Sequence, residues 1–166
     1  SYSAFGIESF IDELAHAAGQ DPVAFRLRHL DADPRMKSVI QLAASKAGWG
    51  AQPSGQYMGI AAHHSFDTWV AQVVSLSIVD GNPRVHRVTC AVDCGLAVTP
   101  DVIHQQIAGG VIFGLTAALH GEITFKDGAV VQSNFHDYPL LRLSEAPDID
   151  VHIVDSNAAP TGVGEP

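Results

Sequence analysis

Apolar residues recur three or four positions apart in the first stretch of the chain, which is the spacing of one face of a helix. The apolar positions are Ile7, Phe10, Ile11, Leu14 and Ala18. We therefore predict an amphipathic helix that buries this face, points Glu8, Asp12 and Glu13 toward solvent and ends at Gly19.

Two Asp-Pro pairs predict the starts of two further helices. Asp21 and Asp33 are suited to cap a helix, and the proline that follows each is suited to the first helical position. Gly48 is placed to end the third helix. Residues 1–50 are thus predicted to form a helical N-terminal segment.

Beyond an irregular connector, apolar residues alternate with polar ones, as in half-buried strands. Residues 68–94 read as a hairpin that turns at Asp80-Gly81-Asn82-Pro83, and a second tight turn is predicted at Lys126-Asp127-Gly128. The alternating positions are Val70, Val74, Leu76 and Ile78, then Val88, Cys90 and Val92, and finally Ile149, Val151 and Ile153. The predicted fold class is α+β, with a mixed or antiparallel sheet packed against helices, and residues 57–166 form its α+β domain.

The longest apolar run, residues 107–119, predicts one long buried helix between two strands. Thr99 is placed to cap it with its hydroxyl, Pro100 and Asp101 suit its first turn, and Gly121 suits a left-handed end. The run is too short to span a bilayer, so we expect a core helix and no membrane insertion.

One face of this helix carries small residues, at the cost of about 1 kcal/mol for each internal glycine. The stripe consists of Gln106, Gly110, Gly114 and Ala118, with Gly109 beside it. Two explanations fit the spacing. Either another backbone packs closely on the stripe, or a large flat ligand lies on it and Gln106 hydrogen-bonds that ligand.

Composition and charge remove several classes of function. The formal net charge of −9 argues against nucleic acid as a partner. Cys90 and Cys94 lie too far apart along one strand for a disulfide, and two cysteines are too few for an iron–sulfur cluster. Neighbouring His63 and His64 point to opposite faces of a strand, so we expect no metal ion bound by protein side chains.

Two loops contain polar residues of the kind found at functional sites. Residues 133–138 combine polar and aromatic side chains, although turn formation explains them equally well. In residues 161–166, glycines flank a carboxylate, Glu165, and would allow a close approach by backbone.

Four segments, in this order and spacing, resemble the large subunit of the molybdenum hydroxylases, the xanthine dehydrogenase and aldehyde oxidase family. The resemblance is greatest to the branch of the isoquinoline 1-oxidoreductase β-subunit and aldehyde dehydrogenases. The segments are AFGIESFIDELAHAAGQDPVAFRLRHL, AVDCGLAVTPDVIHQQIAGGVIFGLTAAL, SNFHDYPLLR and GVGEP.

The resemblance implies part of the molybdopterin-binding region of such a subunit. It implies that Glu165 is the catalytic base and that a molybdenum–molybdopterin cofactor, expected in its cytosine dinucleotide form, binds this region. The residues expected to contact the cofactor are Gln106, Gly109, Gly110, Gly114, Gly162 and Gly164.

The same resemblance implies the reaction and the partners. The reaction is oxidation of an N-heterocycle or aldehyde with water as the oxygen source. Electrons leave to a small [2Fe-2S] subunit, which holds the iron–sulfur clusters. We expect the chain to be a C-terminal fragment that needs the remainder of its large subunit and is inactive alone. The alternative is a non-enzymatic assembly module that keeps the fold without the cofactor.

Overall fold

The computed structural model describes residues 2–164 and contains four helices and six strands. The helices are α1 (Tyr2–Ala17), α2 (Pro22–Arg28), α3 (Pro34–Ala47) and α4 (Pro100–His120). The strands are β1 (Tyr57–Ser65), β2 (Thr68–Val79), β3 (Asn82–Asp93), β4 (Phe125–Lys126), β5 (Ala129–Val130) and β6 (Asp148–Ile153). The predicted α+β fold class is confirmed.

The main sheet is mixed and has the strand order β1-β2-β3-β6. β1, β2 and β3 are antiparallel neighbours, and β6 pairs with β3 in parallel after the long excursion through α4. The predicted hairpin is confirmed. Asp80 and Gly81 form its tip with positive φ, the conformation that a two-residue hairpin turn requires. β4 and β5 form the second predicted turn, in which Asp127 and Gly128 have positive φ.

α2 and α3 cover one face of this sheet and form the largest buried core with it. Val39, Ile40 and Ala43 of α3 pack against Ala71 and Val73 of β2, and all five are almost fully buried. Both predicted Asp-Pro starts are confirmed, since Asp21 accepts a hydrogen bond from the Ala24 amide and Asp33 from the Met36 amide.

α4 lies on the opposite face, over β3 and β6. Val111 packs on Val88 and Cys90, and Ile103 packs on Val92 and Cys94. In the described part of the chain, α4 alone has the length and apolar composition to cross a membrane, and only 11% of its most apolar window is buried. The prediction of a core helix is therefore wrong for this chain, because the narrow sheet covers a single stripe of α4.

Both predicted ends of α4 differ in detail. Thr99 precedes the helix and Pro100 begins it, but the Thr99 hydroxyl makes no capping hydrogen bond. Gly121 is extended, with φ −70°, instead of left-handed. A glycine is needed there because a Cβ would lie 2.7 Å from the carbonyl oxygen of Ala117.

α1 presents the opposite face from the one predicted. Glu8 is buried, whereas Phe10 is 58% exposed and Ile7 is 57% exposed. The reason is Arg26 of α2, which is itself buried and donates to Glu8 at 3.0 Å and to Asp12 at 2.6 Å. Because a buried guanidinium must be paired, the acidic face turns inward.

Candidate cofactor site

A cleft of about 470 Å³ lies beside β1, on the side of the sheet that α4 covers. Its floor includes His63 and Val70, which are directly opposite each other on β1 and β2, and Gln72 of β2. α4 forms one wall, the N-terminal part of α1 forms another, and the segment after β6 contributes Gly162, Val163 and Gly164. Three separate parts of the chain thus enclose one space.

The cleft brings together four of the residues predicted from the sequence. Gln106 and Gly110 line it from α4, and Gly162 and Gly164 line it from the C-terminal loop. Gly109 and Gly114 are exposed on α4 and do not line this cleft. Glu165, the proposed base, lies outside the described residues.

The glycines of α4 leave open space in front of the helix. A Cβ built on Gly109, Gly110 or Gly114 meets no other atom within 4 Å. Among residues 2–164, no backbone packs on the stripe, so close packing within this part of the chain does not explain the glycines. A flat group could therefore lie against Gly110 with the Gln106 amide beside it, and the cleft fits the cofactor that the sequence predicts.

The C-terminal loop is fixed by a tight corner at the end of β3. Gly95 has φ +72°, and a Cβ at this position would overlap the carbonyl oxygen of Ala159. The corner and the loop exchange backbone hydrogen bonds, from the Leu96 amide to Ala158 and from the Thr161 amide to Cys94, each at 2.9 Å. These contacts set the path of the chain toward Gly162.

Asp93 holds this corner through a charged network. Its carboxylate accepts two hydrogen bonds from Arg35, at 2.7 and 2.5 Å, and a third from the Gly95 amide at 3.1 Å. The hydrogen bond from Arg35 lowers the pKa of Asp93 below its usual value, although burial opposes the shift. Arg35 in turn lies 3.8 Å over the Trp69 ring, and that ring stacks on His64 at 4.0 Å.

The sequence interpretation missed Asp93, Gly95 and Arg35. Asp93 and Gly95 stand inside the segment AVDCG, in which an acidic residue ends an apolar strand just before a glycine. That pattern is a usable signal for a corner. Arg35 comes from α3, 58 residues earlier, and no local pattern connects it with Asp93.

Neither cysteine has the character of a metal ligand. Burial raises the pKa of Cys90 to about 12 and also raises the pKa of Cys94. Thiols with raised pKa values stay protonated near neutral pH, whereas metals bind thiolates. Among residues 2–164, no three His, Cys, Asp or Glu side chains are grouped to hold a metal ion.

The polar loop at residues 133–138 lies away from the cleft. The Asp137 carboxylate accepts hydrogen bonds from the backbone amides of Ser133 and Asn134. Such bonds, first that from Asn134, lower the pKa of Asp137 to about 2. In this structure the loop is a self-contained turn.

The family model of the molybdopterin cofactor-binding domain matches residues 10–147. This match covers most of the chain, and it includes α4 with Gln106 and Gly110. The chain belongs to this family of cofactor-binding domains, within the molybdenum hydroxylases.

Curated relatives agree with this assignment. The chain is 37% identical over 167 residues to the β-subunit of isoquinoline 1-oxidoreductase from Brevundimonas diminuta, and the match covers 97% of this chain and 21% of that protein. It is 33% identical over 186 residues to a nicotinate dehydrogenase subunit from Pseudomonas putida, covering 98% and 15%. The membrane-bound aldehyde dehydrogenase [pyrroloquinoline-quinone] of Gluconacetobacter polyoxogenes is 30% identical over 188 residues, covering 99% and 24%. The chain thus spans between about a seventh and a quarter of the length of these relatives.

Two solved structures are similar to parts of the chain. The Cu,Mo-CO dehydrogenase matches 52% of this chain and 11% of its own, with 23% identity and a TM-score of 0.49. Quinoline 2-oxidoreductase from Pseudomonas putida 86 matches 54% and 12%, with 24% identity and a TM-score of 0.47.

Proposed function

We propose that this chain supplies the cofactor-binding and catalytic-base segment of a molybdenum hydroxylase that oxidises an N-heterocycle or an aldehyde. One observation carries the proposal. Residues far apart in sequence, Gln106 and Gly110 of α4 and Gly162 and Gly164 of the C-terminal loop, line the same cleft.

In this proposal each side of the cleft has a distinct task. The Gln106 amide can both donate and accept hydrogen bonds, which suits the polar edge of a pterin. Gly110 leaves the helix surface flat, since no side chain stands in the space before it. When bound, the molybdenum cofactor, in the cytosine dinucleotide form, would supply the two-electron redox chemistry.

Glu165 is proposed as the general base. It follows Gly164 directly in the sequence, and Gly164 lines the cleft. A base must come within hydrogen-bond reach of the proton that it removes. Glycines at positions 162 and 164 would let the carboxylate approach without obstruction from neighbouring side chains.

The partners follow from what the chain leaves uncovered. Phe113 of α4 is 69% exposed, and Phe10 of α1 is 58% exposed. Under the proposal, the remainder of the large subunit covers such residues, and α4 does not enter a membrane. A small [2Fe-2S] subunit receives the electrons. The names of the relatives, which include isoquinoline, nicotinate and aldehyde, support an N-heterocycle or aldehyde as the substrate class.

The test is Glu165→Gln in the complete enzyme, because glutamine keeps the shape of the side chain but accepts no proton from the substrate side. Loss of a general base lowers rates by about 10²–10⁴-fold. We expect a decrease of this size in single-turnover reduction by an aldehyde or N-heterocycle, with normal molybdenum and pterin content.

The matched control is Glu122→Gln, which changes an exposed carboxylate that does not line the cleft. This variant should react at the wild-type rate. A Glu165→Gln enzyme that is reduced as fast as the control would remove the catalytic assignment. A wild-type protein without molybdenum or pterin would instead favour the non-enzymatic assembly module.

A further inference from the structure

The loop that carries Gly162 and Gly164 contains no helix or strand beyond β6 in the part that the structure describes. Backbone hydrogen bonds to the β3 corner reach Thr161, and none is described further along the loop. The next contact is made by a side chain. The Thr68 hydroxyl, at the start of β2, hydrogen-bonds the carbonyl oxygen of Gly162 at 2.7 Å.

Thr68 also approaches the Thr161 hydroxyl, at 2.6 Å. A carbonyl oxygen can only accept, so the single Thr68 proton goes to Gly162. Thr161 must therefore donate to Thr68. The two hydroxyls form a directed chain that ends on the Gly162 carbonyl, and linked hydrogen bonds of this kind strengthen one another.

The position of Thr68 makes this contact difficult to replace. Thr68 is 6% exposed and lines the cleft, so little water can reach the Gly162 carbonyl from its side. Asp67 precedes it at a hairpin tip with positive φ, and β2 pairing with β1 fixes the backbone that follows. Val163 packs against the core beside Val92, which holds the loop from the other side.

We propose that Thr68 is a positioning residue that sets the place of the Gly162–Gly164 backbone at the cleft. The proposal rests on the proposed function, in which this loop leads to the catalytic base. Thr68 acts through the Gly162 carbonyl and the Thr161 hydroxyl, and it needs no contact with the substrate.

The first experiment measures the loop without reference to activity. Thr68→Val keeps the shape of the side chain and removes the hydroxyl, whereas Thr68→Ser keeps the hydroxyl. We expect amide hydrogen exchange of Val163 and Gly164 to become about five- to tenfold faster in Thr68→Val, as for the loss of one or two hydrogen bonds, and to stay near wild type in Thr68→Ser.

The control is Thr89→Val, since Thr89 is 1% exposed on β3 and takes no part in the contacts of the loop. It should leave exchange at Val163 and Gly164 unchanged. Equal exchange in Thr68→Val and Thr89→Val would overturn the proposal. If Thr68→Val lowers protection throughout the sheet, then loss of protection in Thr68→Ser as well would also overturn it.

The second experiment uses the complete enzyme. Thr68→Val should lower kcat about tenfold or more, because a small misplacement of a reacting group is costly, and should change KM and molybdenum content little. Thr68→Ser should restore kcat. An unchanged kcat in Thr68→Val overturns the proposal. A wild-type enzyme without cofactor contradicts the proposed function instead, and the exchange measurement still decides the role of Thr68.

Discussion

Gly95 is the residue on which the approach of the C-terminal loop to β3 depends most directly. Its φ of +72° is unfavourable for other residues, and a side chain would collide with the Ala159 backbone. Backbone atoms cannot move aside as a flexible side chain can. The loop lies at its observed position because position 95 has no Cβ.

We predict that Gly95→Ala destabilises the chain by well over the ~1 kcal/mol expected for a positive-φ alanine. The matched control is Gly128→Ala, because Gly128 has φ +78° and its Cβ would meet nothing within 4 Å. Urea unfolding of both variants separates backbone strain from the collision. Equal losses in the two variants would contradict the account of the corner.

Asp93 gives stability a predictable dependence on pH. Arg35 lowers its pKa in the folded chain, so the unfolded chain binds the proton more readily. The stabilisation is complete above the unfolded carboxyl pKa of about 3.9 and is lost as pH falls through the lowered folded pKa.

We therefore predict that Asp93→Asn reduces stability at pH 7 and loses less stability than wild type on acidification below about pH 5. Asp150→Asn is the control, because its ion pair with Arg87 lies at the surface, where such pairs contribute little. Urea unfolding between about pH 3 and pH 7 provides the measurement. Parallel pH curves for wild type and Asp93→Asn would show that the pair does not produce this dependence.

Among the elements, α1 shows most clearly what an amphipathic pattern leaves undetermined. Helical spacing correctly predicts that α1 exists and that Gly19 follows its end with positive φ. It cannot tell which face is buried when a charged partner lies elsewhere in the chain. Arg26 is 18 residues from Glu8, and their side-chain pair is almost fully buried.

We predict that Glu8→Ala costs about 3 kcal/mol of unfolding free energy, as for a buried ion pair that loses one partner. The loss leaves Arg26 buried without its main acceptor, and it also removes the acceptor of the Ala62 amide. Glu13→Ala, at an exposed position of the same helix, should stay within about 0.5 kcal/mol of wild type. Equal stabilities of the two variants in urea unfolding would support the face first predicted from the sequence.

Strands and turns were easier to predict than the faces of helices. The turn at Asp80 and Gly81 and the alternation of Val88, Cys90 and Val92 are local signals, and the structure agrees with both. The exposure of α4 depends instead on the width of the sheet beneath it. Gln106 and Gly110 could be selected from their spacing and from the resemblance, whereas Thr68 and Asp93 depend on long-range contacts that no local pattern shows.

For the whole molecule, the two sides of the sheet differ in how well they are covered. α2 and α3 bury a core with Ile40 and Val73, whereas α4 leaves Val102 and Phe113 exposed. Contiguous exposed apolar surface is typical of interaction sites. This arrangement agrees with the proposed place of the chain in a larger subunit, with the cofactor cleft at the edge of the less covered side.

The central claim is that the cleft beside Gly110 holds the molybdenum cofactor, and the molybdenum and pterin content of Gly110→Leu tests it most directly. A Cβ at position 110 meets nothing within 4 Å, so stability should stay close to that of the control Ala117→Leu, on the exposed side of α4. We predict that Gly110→Leu enzyme loses most of its molybdenum and pterin while Ala117→Leu retains both. Full cofactor content in Gly110→Leu, with a loss of stability of the size caused by overpacking (about 1–3 kcal/mol), would contradict the claim and identify the stripe as a packing surface.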